Sequence, residues 1–416
     1  MNYVLFRRDS HCAEPVFHWG VLFGEVAEVF DKMSTVGKII TCKAAVCQKY
    51  GEPLVIEEIQ VAPPKSGEVR IKVISCGVCH SDCNYASGSL GDISGQLPII
   101  LGHEVSGVVE SCGEGVTEVQ EGDHVILTAI AQCRNCKVCN GTGNFNCRNA
   151  KEVNVPSKGN LLDGSTRFSS GGTDLHHFMG VSGYTEYTVS PKFMVTKVPH
   201  ELPLEKVCIF GCCIMTGYFS AVHKAAVTSG STCAVFGLGG IGLAAVMGCR
   251  NNGANRIIAV DTNPDKFPIA KSLGATDYLN PNEYDRPIED VIVEMTDGGC
   301  EFTFECVGSR KVIESAFRSS DPSVGVTMIV GVPPQDDNKI EICTMDMLGG
   351  RVLMSAILGG YKVHDGIKRL SQEYVAGIID IDPFITGHMP LEKINDAFKR
   401  LVEGKCIRTV IDIGRY

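Results

Sequence analysis

The sequence predicts an α/β chain in two parts, a compact β-barrel-like unit followed by a doubly wound parallel sheet. Three observations carry this expectation. Short β-rich runs broken by Gly and Pro fill residues 39–123. Strands and helices alternate from about residue 231. A glycine-rich turn joins the first strand of that alternation to its helix.

In the first part the runs Cys42–Val46, Glu68–Ile74, Val105–Glu110 and His124–Leu127 are separated by turn residues, the spacing of a small barrel. Residues 133–147 are polar and cysteine-rich, with no core periodicity. In the second part the strands Thr232–Phe236, Arg256–Val260, Phe302–Glu305 and Val326–Val330 alternate with helical stretches such as Lys266–Leu273 and Lys311–Arg318. Such βαβ alternation builds a parallel sheet. The helical segments Val363–Ala376 and Leu391–Glu403 then precede a last strand, Arg408–Ile413.

Composition narrows the function. With 38 basic against 48 acidic residues the net charge is -10, so neither nucleic acid nor an anionic membrane is expected as partner. Residues 225–249 carry no charge, yet four Gly fall within six residues of that run. This reads as a buried strand, turn and helix rather than a membrane span. Twenty cysteines stand out. The first thirty residues lack the apolar core and cleavage site of a secretory signal, which points to a cytoplasmic chain whose thiols bind metal rather than pair as disulfides. Residues 1–32 hold the only Trp, Trp19, and are neither Arg-rich nor acid-poor, as a transit peptide would be. Met33 offers a second start, and 1–32 is expected to lie outside the fold.

Gly237-Leu238-Gly239-Gly240-Ile241-Gly242 fits G-x-G-x-x-G between the strand ending at Phe236 and the helical run Leu243–Gly248. Gly237, Gly239, Gly240 and Gly242 would let the backbone approach a pyrophosphate at a helix N-terminus. Asp261 follows nineteen residues after Gly242, at the end of the next strand. A carboxylate there accepts from ribose hydroxyls and repels a 2′-phosphate, which favours NAD over NADP. The alternative for Asp261 is a helix cap or turn residue.

Cys133-x2-Cys136-x2-Cys139-x7-Cys147 places four thiols in fifteen residues. Spacing and compartment predict a closed structural zinc site, with a disulfide knot as the alternative. Cys79, His103 and Cys212 each lie in a Gly-containing turn, too far apart in sequence for spacing to join them.

The motifs together resemble the zinc-dependent medium-chain alcohol dehydrogenases, in the branch of the liver-type and glutathione-dependent formaldehyde dehydrogenases. They are Gly102-His103-Glu104-x2-Gly107-x5-Gly113, the four-cysteine loop, Gly211-Cys212, the glycine-rich turn and Gly404-Lys405-Cys406-Ile407-Arg408-Thr409, covering nearly everything from Met33 to Tyr416. The resemblance implies a GroES-like catalytic domain over 33–213 and 357–416 and a Rossmann NAD domain over 214–356. It implies Cys79, His103 and Cys212 as ligands of a catalytic zinc, so two zinc ions per chain. Cys76, Cys83 and Cys213 are left as packing residues. Asp82 and Glu104 would stand behind the ligands and orient them. Ser81 would carry the alcohol's proton, and His80 and Arg408 would face the pyrophosphate. Lys266 would contact the ribose or else be a solvated surface residue, and Val330 and Val332 would lie beside the cofactor.

The implied activity is reversible NAD-linked oxidation of primary or secondary alcohols by hydride transfer from an alkoxide held by zinc. A homodimer is implied, paired through edge strands near Lys339–Cys343. Two alternatives stand beside it: S-(hydroxymethyl)glutathione dehydrogenation and a non-catalytic dinucleotide-binding protein. Three departures bear on the substrate. Asn84 replaces the His that ends the liver-type proton relay. Leu90 and Lys151 replace the acid and Arg that hold glutathione. Ala129 replaces a pocket aromatic, which predicts a roomier site.

Overall fold

The computed structural model describes residues 35–89, 96–141, 147–149, 159–334 and 337–414. The expected extension 1–32 and the positions Leu90 and Lys151 lie outside the described residues. Everything below concerns the unit Gly37–Tyr416.

Two β-systems build the first part. Strands Ile40–Cys47, Val55–Val61, Phe168–Ser170, Thr173–His177 and Ile99–Ile100 close into a barrel. A seven-stranded sheet runs in the order Val195–Lys197, His124–Leu127, Glu104–Cys112, Glu68–Gly77, Arg408–Asp412 and Ile385–Pro390, with Tyr187–Pro191 also paired to Glu68–Gly77. The long strand Glu68–Gly77 is buried at nine of its ten positions, so it reads as a continuous apolar run rather than an alternation.

The second part is a six-stranded parallel sheet: β1 Thr232–Phe236, β2 Arg256–Val260, β3 Asp277–Leu279, β4 Phe302–Glu305, β5 Val326–Ile329 and β6 Val352–Ser355. Its order is β3-β2-β1-β4-β5-β6, with every neighbouring pair parallel. The order reverses between β1 and β4, and ligands of such sheets bind in the crevice at that reversal. A mixed α/β architecture with a barrel-type unit and a Rossmann-type sheet is therefore what the chain adopts.

The uncharged run 225–249 becomes β1 and most of the helix Gly240–Asn251, whose apolar residues are buried in the main core. A second helix, Cys213–Phe219, is buried at every position and packs against it. Among the described residues no single helix is long and apolar enough to cross a membrane. The outer edge of the parallel sheet is β6, Val352–Ser355, and 339–343 belongs to the connection that leads from β5 to that edge strand. That run holds Lys339 and Glu341, which suit a solvated connection.

Candidate metal and dinucleotide site

Strand register assembles the site. Gly77 pairs with Glu104 across two antiparallel strands. Cys79, two residues beyond Gly77, thereby meets His103, one residue before Glu104. On the other flank Val105 pairs with Leu127. A side chain on Gly211 would collide with the Leu127 carbonyl, so only glycine lets Cys212 come this close to the strand that carries Glu104. The result is one cluster: ligand atoms of Cys79, His103, Cys212 and Glu104 all lie within 4.8 Å of one another. Cys79 also caps the short helix His80–Ala86.

Asp82 governs the cluster from behind. Its Oδ1 lies 3.0 Å from His103 Nδ1 and accepts from the Gly102 amide at 3.1 Å. Its Oδ2 accepts from the Cys79 amide at 3.1 Å and the Tyr184 hydroxyl at 3.0 Å. With Nδ1 donating to a carboxylate, His103 keeps Nε2 as its ligand atom, the arrangement that metal-bound imidazoles need. Burial lowers the His103 pKa, but Asp82 and the neighbouring Cys79 overcome it and hold it well above 6.5. The Cys79 thiol, hydrogen-bonded to Cys212, is held well below its ordinary value, while that of Cys212 rises as its partner. The Cys79 thiol is thereby closer to the thiolate that zinc requires, whereas Cys212 would lose its proton on binding the metal.

Glu104 departs from expectation. Expected behind the ligands, it stands among them. Burial pushes its carboxyl up to about 8, against the pull of Arg408. Arg408 Nη2 lies 3.1 Å from Glu104 Oε1, a charge contact without hydrogen-bond geometry. Its Nη1 donates to the Val78 carbonyl at 3.0 Å. The same guanidinium borders Gly240 at the start of the dinucleotide helix. Arg408 thus joins the two halves of the site. Ser81 is half-buried, its Oγ 3.8 Å from Cys79 Sγ. The His80 ring reaches solvent; partial desolvation lowers its pKa, and the cations Arg408 and Lys266 lower it further.

The glycine turn performs the task its spacing predicts. Gly237 sits at φ +88°, and a Cβ on Gly242 would strike the Gly237 carbonyl. Gly239 faces open space. The helix from Gly240 has no side-chain cap, so its first amides stay free for an anion. Asp261 accepts from the Leu238 amide at 2.7 Å and from the Asn263 amide at 2.8 Å, tying β2 to the turn. The turn role weighed against ribose binding is therefore real, and it fixes the carboxylate at the crevice. Lys266 is half-buried, with its Nζ 2.9 Å from Asp261 Oδ2. Val330 is buried and Val332 exposed at the crevice side of β5.

The four-cysteine loop closes on itself. Cys133 and Cys139 Sγ are 3.8 Å apart, and Cys136 and Cys147 Sγ 3.9 Å. Disulfide sulfurs would be about 2.05 Å apart. Four sulfurs tetrahedrally placed at the zinc bond length of about 2.3 Å would be ~3.8 Å from one another. The loop fits a metal and excludes the disulfide knot. The Cys139 amide donates to Cys136 Sγ at 3.4 Å, and that bond leads the effects drawing the Cys136 thiol down to about 5. Cys76, Cys83 and Cys213 are buried outside both clusters, and burial raises all three thiols.

Tyr184 is the residue that sequence reasoning missed. It lies far from every motif, and its Ser-Gly-Tyr-Thr setting looks like an ordinary turn into a strand.

Comparison with known proteins agrees with this geometry. Residues 65–200 match the family model described as alcohol dehydrogenase GroES-like domain, and residues 240–372 match that described as zinc-binding dehydrogenase. An alcohol dehydrogenase zinc-binding domain protein from Burkholderia ambifaria is similar over 91% of this chain and 100% of its own, at 32% identity and TM-score 0.83. Benzyl alcohol dehydrogenase from Acinetobacter calcoaceticus is similar over 90% and 100%, at 29% identity and TM-score 0.82. The 2R,3R-butanediol dehydrogenase of Bacillus subtilis shares the fold at 24% identity and TM-score 0.67, over 89% of this chain and 99% of its own.

Proposed function

The chain belongs to the zinc-binding medium-chain dehydrogenase family, and from that premise we propose that it is an NAD-linked zinc alcohol dehydrogenase. It interconverts primary or secondary alcohols with aldehydes or ketones. The observation that carries this reading is the meeting of Cys79, His103 and Cys212 within 4.8 Å, beside the dinucleotide helix.

Held by Cys79, His103 and Cys212, a zinc ion would supply Lewis acidity, making a bound hydroxyl acidic or polarising a carbonyl. The rest is the work of the chain. Asp82 keeps His103 in one orientation and tautomer. The Ser81 hydroxyl accepts the alcohol's proton and hands it on. Asn84 cannot hold a proton at neutral pH, so the proton ends on water or a cofactor ribose. The turn Gly237–Gly242 and Arg408 bind the pyrophosphate. Asp261, with Lys266 against it, takes the ribose hydroxyls. Val330 and Val332 would flank a bound nicotinamide, whose chemistry would be to take up the hydride from the alcohol carbon. Alcohol and NAD+ thereby become carbonyl, NADH and one proton.

The four-cysteine loop binds the second zinc and stiffens its lobe without chemistry. The similarity to a benzyl alcohol dehydrogenase, together with the small Ala129, supports aromatic and branched alcohols as substrates. We extend the proposal to a cytoplasmic homodimer that acts on small molecules, with no nucleic acid or membrane as partner. Exposed Met345 and Leu348, in the helix Thr344–Leu348 that precedes β6, and exposed Val352 in that edge strand support the pairing.

The test is cofactor reduction over a panel of alcohols, with NAD and NADP, and with and without glutathione plus formaldehyde. Reduction of NAD by benzyl and branched alcohols supports the reading. A response confined to the glutathione arm transfers it to the formaldehyde adduct, and no response overturns it. Light scattering at about twice the chain mass checks the dimer.

A further inference from the structure

Tyr184 is wholly buried, and its hydroxyl donates to Asp82 Oδ2 at 3.0 Å. That bond completes a set of four. The Asp82 carboxylate receives the amides of Cys79 and Gly102, the ring nitrogen of His103 and this phenol. Two of the four donors belong to proposed metal ligands, and a third adjoins one. Asp82 is itself without exposure, so no bulk water replaces a lost partner.

The backbone of Tyr184 belongs to the same construction. Its amide donates to the Leu101 carbonyl at 3.0 Å, and the Gly183 amide donates to Gly102 at 2.7 Å. Segment 183–184 therefore lies along the loop that presents His103. The ring also meets Phe398 edge-on at a centroid distance of 5.9 Å, a packing contact separate from the hydroxyl's bond.

We propose that Tyr184 is a positioning residue for the catalytic metal. Its hydroxyl locks the Asp82 carboxylate plane, so that Oδ1 holds His103 with its free ring nitrogen turned toward Cys79 and Cys212. A carboxylate that loses one of two donors on Oδ2 is held there by the Cys79 amide alone and has more freedom to rotate about its terminal bond. Any such rotation moves Oδ1 off the imidazole N–H. Partners behind a ligating imidazole are worth about 10–100-fold in metal affinity, and one step further back the effect falls near the lower end of that range. This inference rests on the metal-site reading given above.

The test follows zinc release to a chromogenic chelator from the whole protein in three forms: wild type, Tyr184→Phe and Phe398→Leu. Tyr184→Phe removes one oxygen and keeps the ring. Phe398→Leu disturbs the packing around the ring and keeps the hydroxyl. The expected result is about tenfold faster loss of one zinc equivalent in Tyr184→Phe, with the other equivalent unchanged, and release near the wild-type rate in Phe398→Leu. Cobalt exchanged for the faster zinc should give an altered visible spectrum in Tyr184→Phe alone. Equal release from Tyr184→Phe and wild type overturns the inference, as does equal acceleration of both equivalents. Wild type holding only one zinc would instead overturn the metal-site reading.

Discussion

Arg408 Nη2 stands 3.1 Å from Glu104 Oε1, and both side chains are almost wholly shut off from water. A buried carboxylate at the ligand cluster is stable only beside a cation, and a buried guanidinium needs the same in return. Arg408 supplies the cation and also borders Gly240, where the pyrophosphate is expected. Removing it leaves Glu104, whose carboxyl burial already pushes up to about 8, as a buried acid and leaves the Val78 carbonyl without its donor, a lost partner worth about 1–3 kcal/mol. Arg408→Met is therefore expected to lower the melting temperature and also to weaken NADH binding by on the order of tenfold or more, the worth of one charge-assisted hydrogen bond. NADH fluorescence titration beside thermal unfolding checks both. Arg408→Lys should recover part of the stability and less of the binding, since a point charge cannot serve Glu104, Val78 and a phosphate together.

Local features of the site were legible in the sequence, and the non-local ones were not. The glycine turn and the four-cysteine loop each bring their groups together within fifteen residues, so spacing alone exposes them. Cys79, His103 and Cys212 are joined by the register Gly77 to Glu104 and Val105 to Leu127, which no residue type announces. Only the resemblance connected them. The longer apolar strands Thr232–Phe236, Arg256–Val260 and Phe302–Glu305 form where periodicity put them. The strands Ile99–Ile100, Phe168–Ser170 and Thr173–His177 escaped notice because they are only two to five residues long, too short for a period to show, and are held by closure of the barrel. The ion pairs Arg408–Glu104 and Lys266–Asp261 were not legible either, because an ion pair depends on where the backbone puts its second member.

The four-cysteine loop yields a prediction about metal removal. The closest sulfur pairs stand 3.8–3.9 Å apart, too far for a disulfide and right for a shared ion. Cys136→Ser should reduce bound zinc from two equivalents to one while NADH still binds, since the dinucleotide turn lies in the parallel-sheet part. Zinc analysis with NADH titration on the same sample decides. Loss of both zinc ions together with cofactor binding would show that the loop supports the whole fold rather than one lobe.

Acid stability should report on a buried histidine. His177 lies wholly inside, stacked on Phe168 at 4.2 Å, and its Nε2 accepts from the Arg167 amide at 3.2 Å. Burial, reinforced by Arg167, lowers its pKa from 6.5 to about 3. The unfolded chain therefore binds a proton below pH 6.5 that the folded chain refuses until about pH 3. Stability from this group is complete above pH 6.5 and falls with pH across that window, with a slope of about 1.4 kcal/mol per pH unit for one proton. His177→Gln keeps an acceptor and removes the titration. Its urea midpoint should fall less steeply than that of wild type between pH 6.5 and 5, whatever its value at neutral pH.

Ala129 gives the sharpest handle on substrate. It follows the strand His124–Leu127, and the Leu127 carbonyl lies against Gly211, next to Cys212. Residue 129 thus follows a strand that borders Cys212, and the resemblance implies that a methyl here leaves room that an aromatic ring would fill. One extra or missing methylene in such a pocket changes discrimination by about 1–3 kcal/mol, and a whole ring displaces more than that. Ala129→Phe is expected to depress kcat/KM for benzyl and branched alcohols by at least about tenfold while sparing ethanol. The ratio of the two substrates in one enzyme sample is the measurement, because it cancels errors in active-site concentration. An unchanged ratio would place the substrate elsewhere in the cleft, and a loss for both alcohols alike would mean that the ring displaces a ligand rather than trims the pocket.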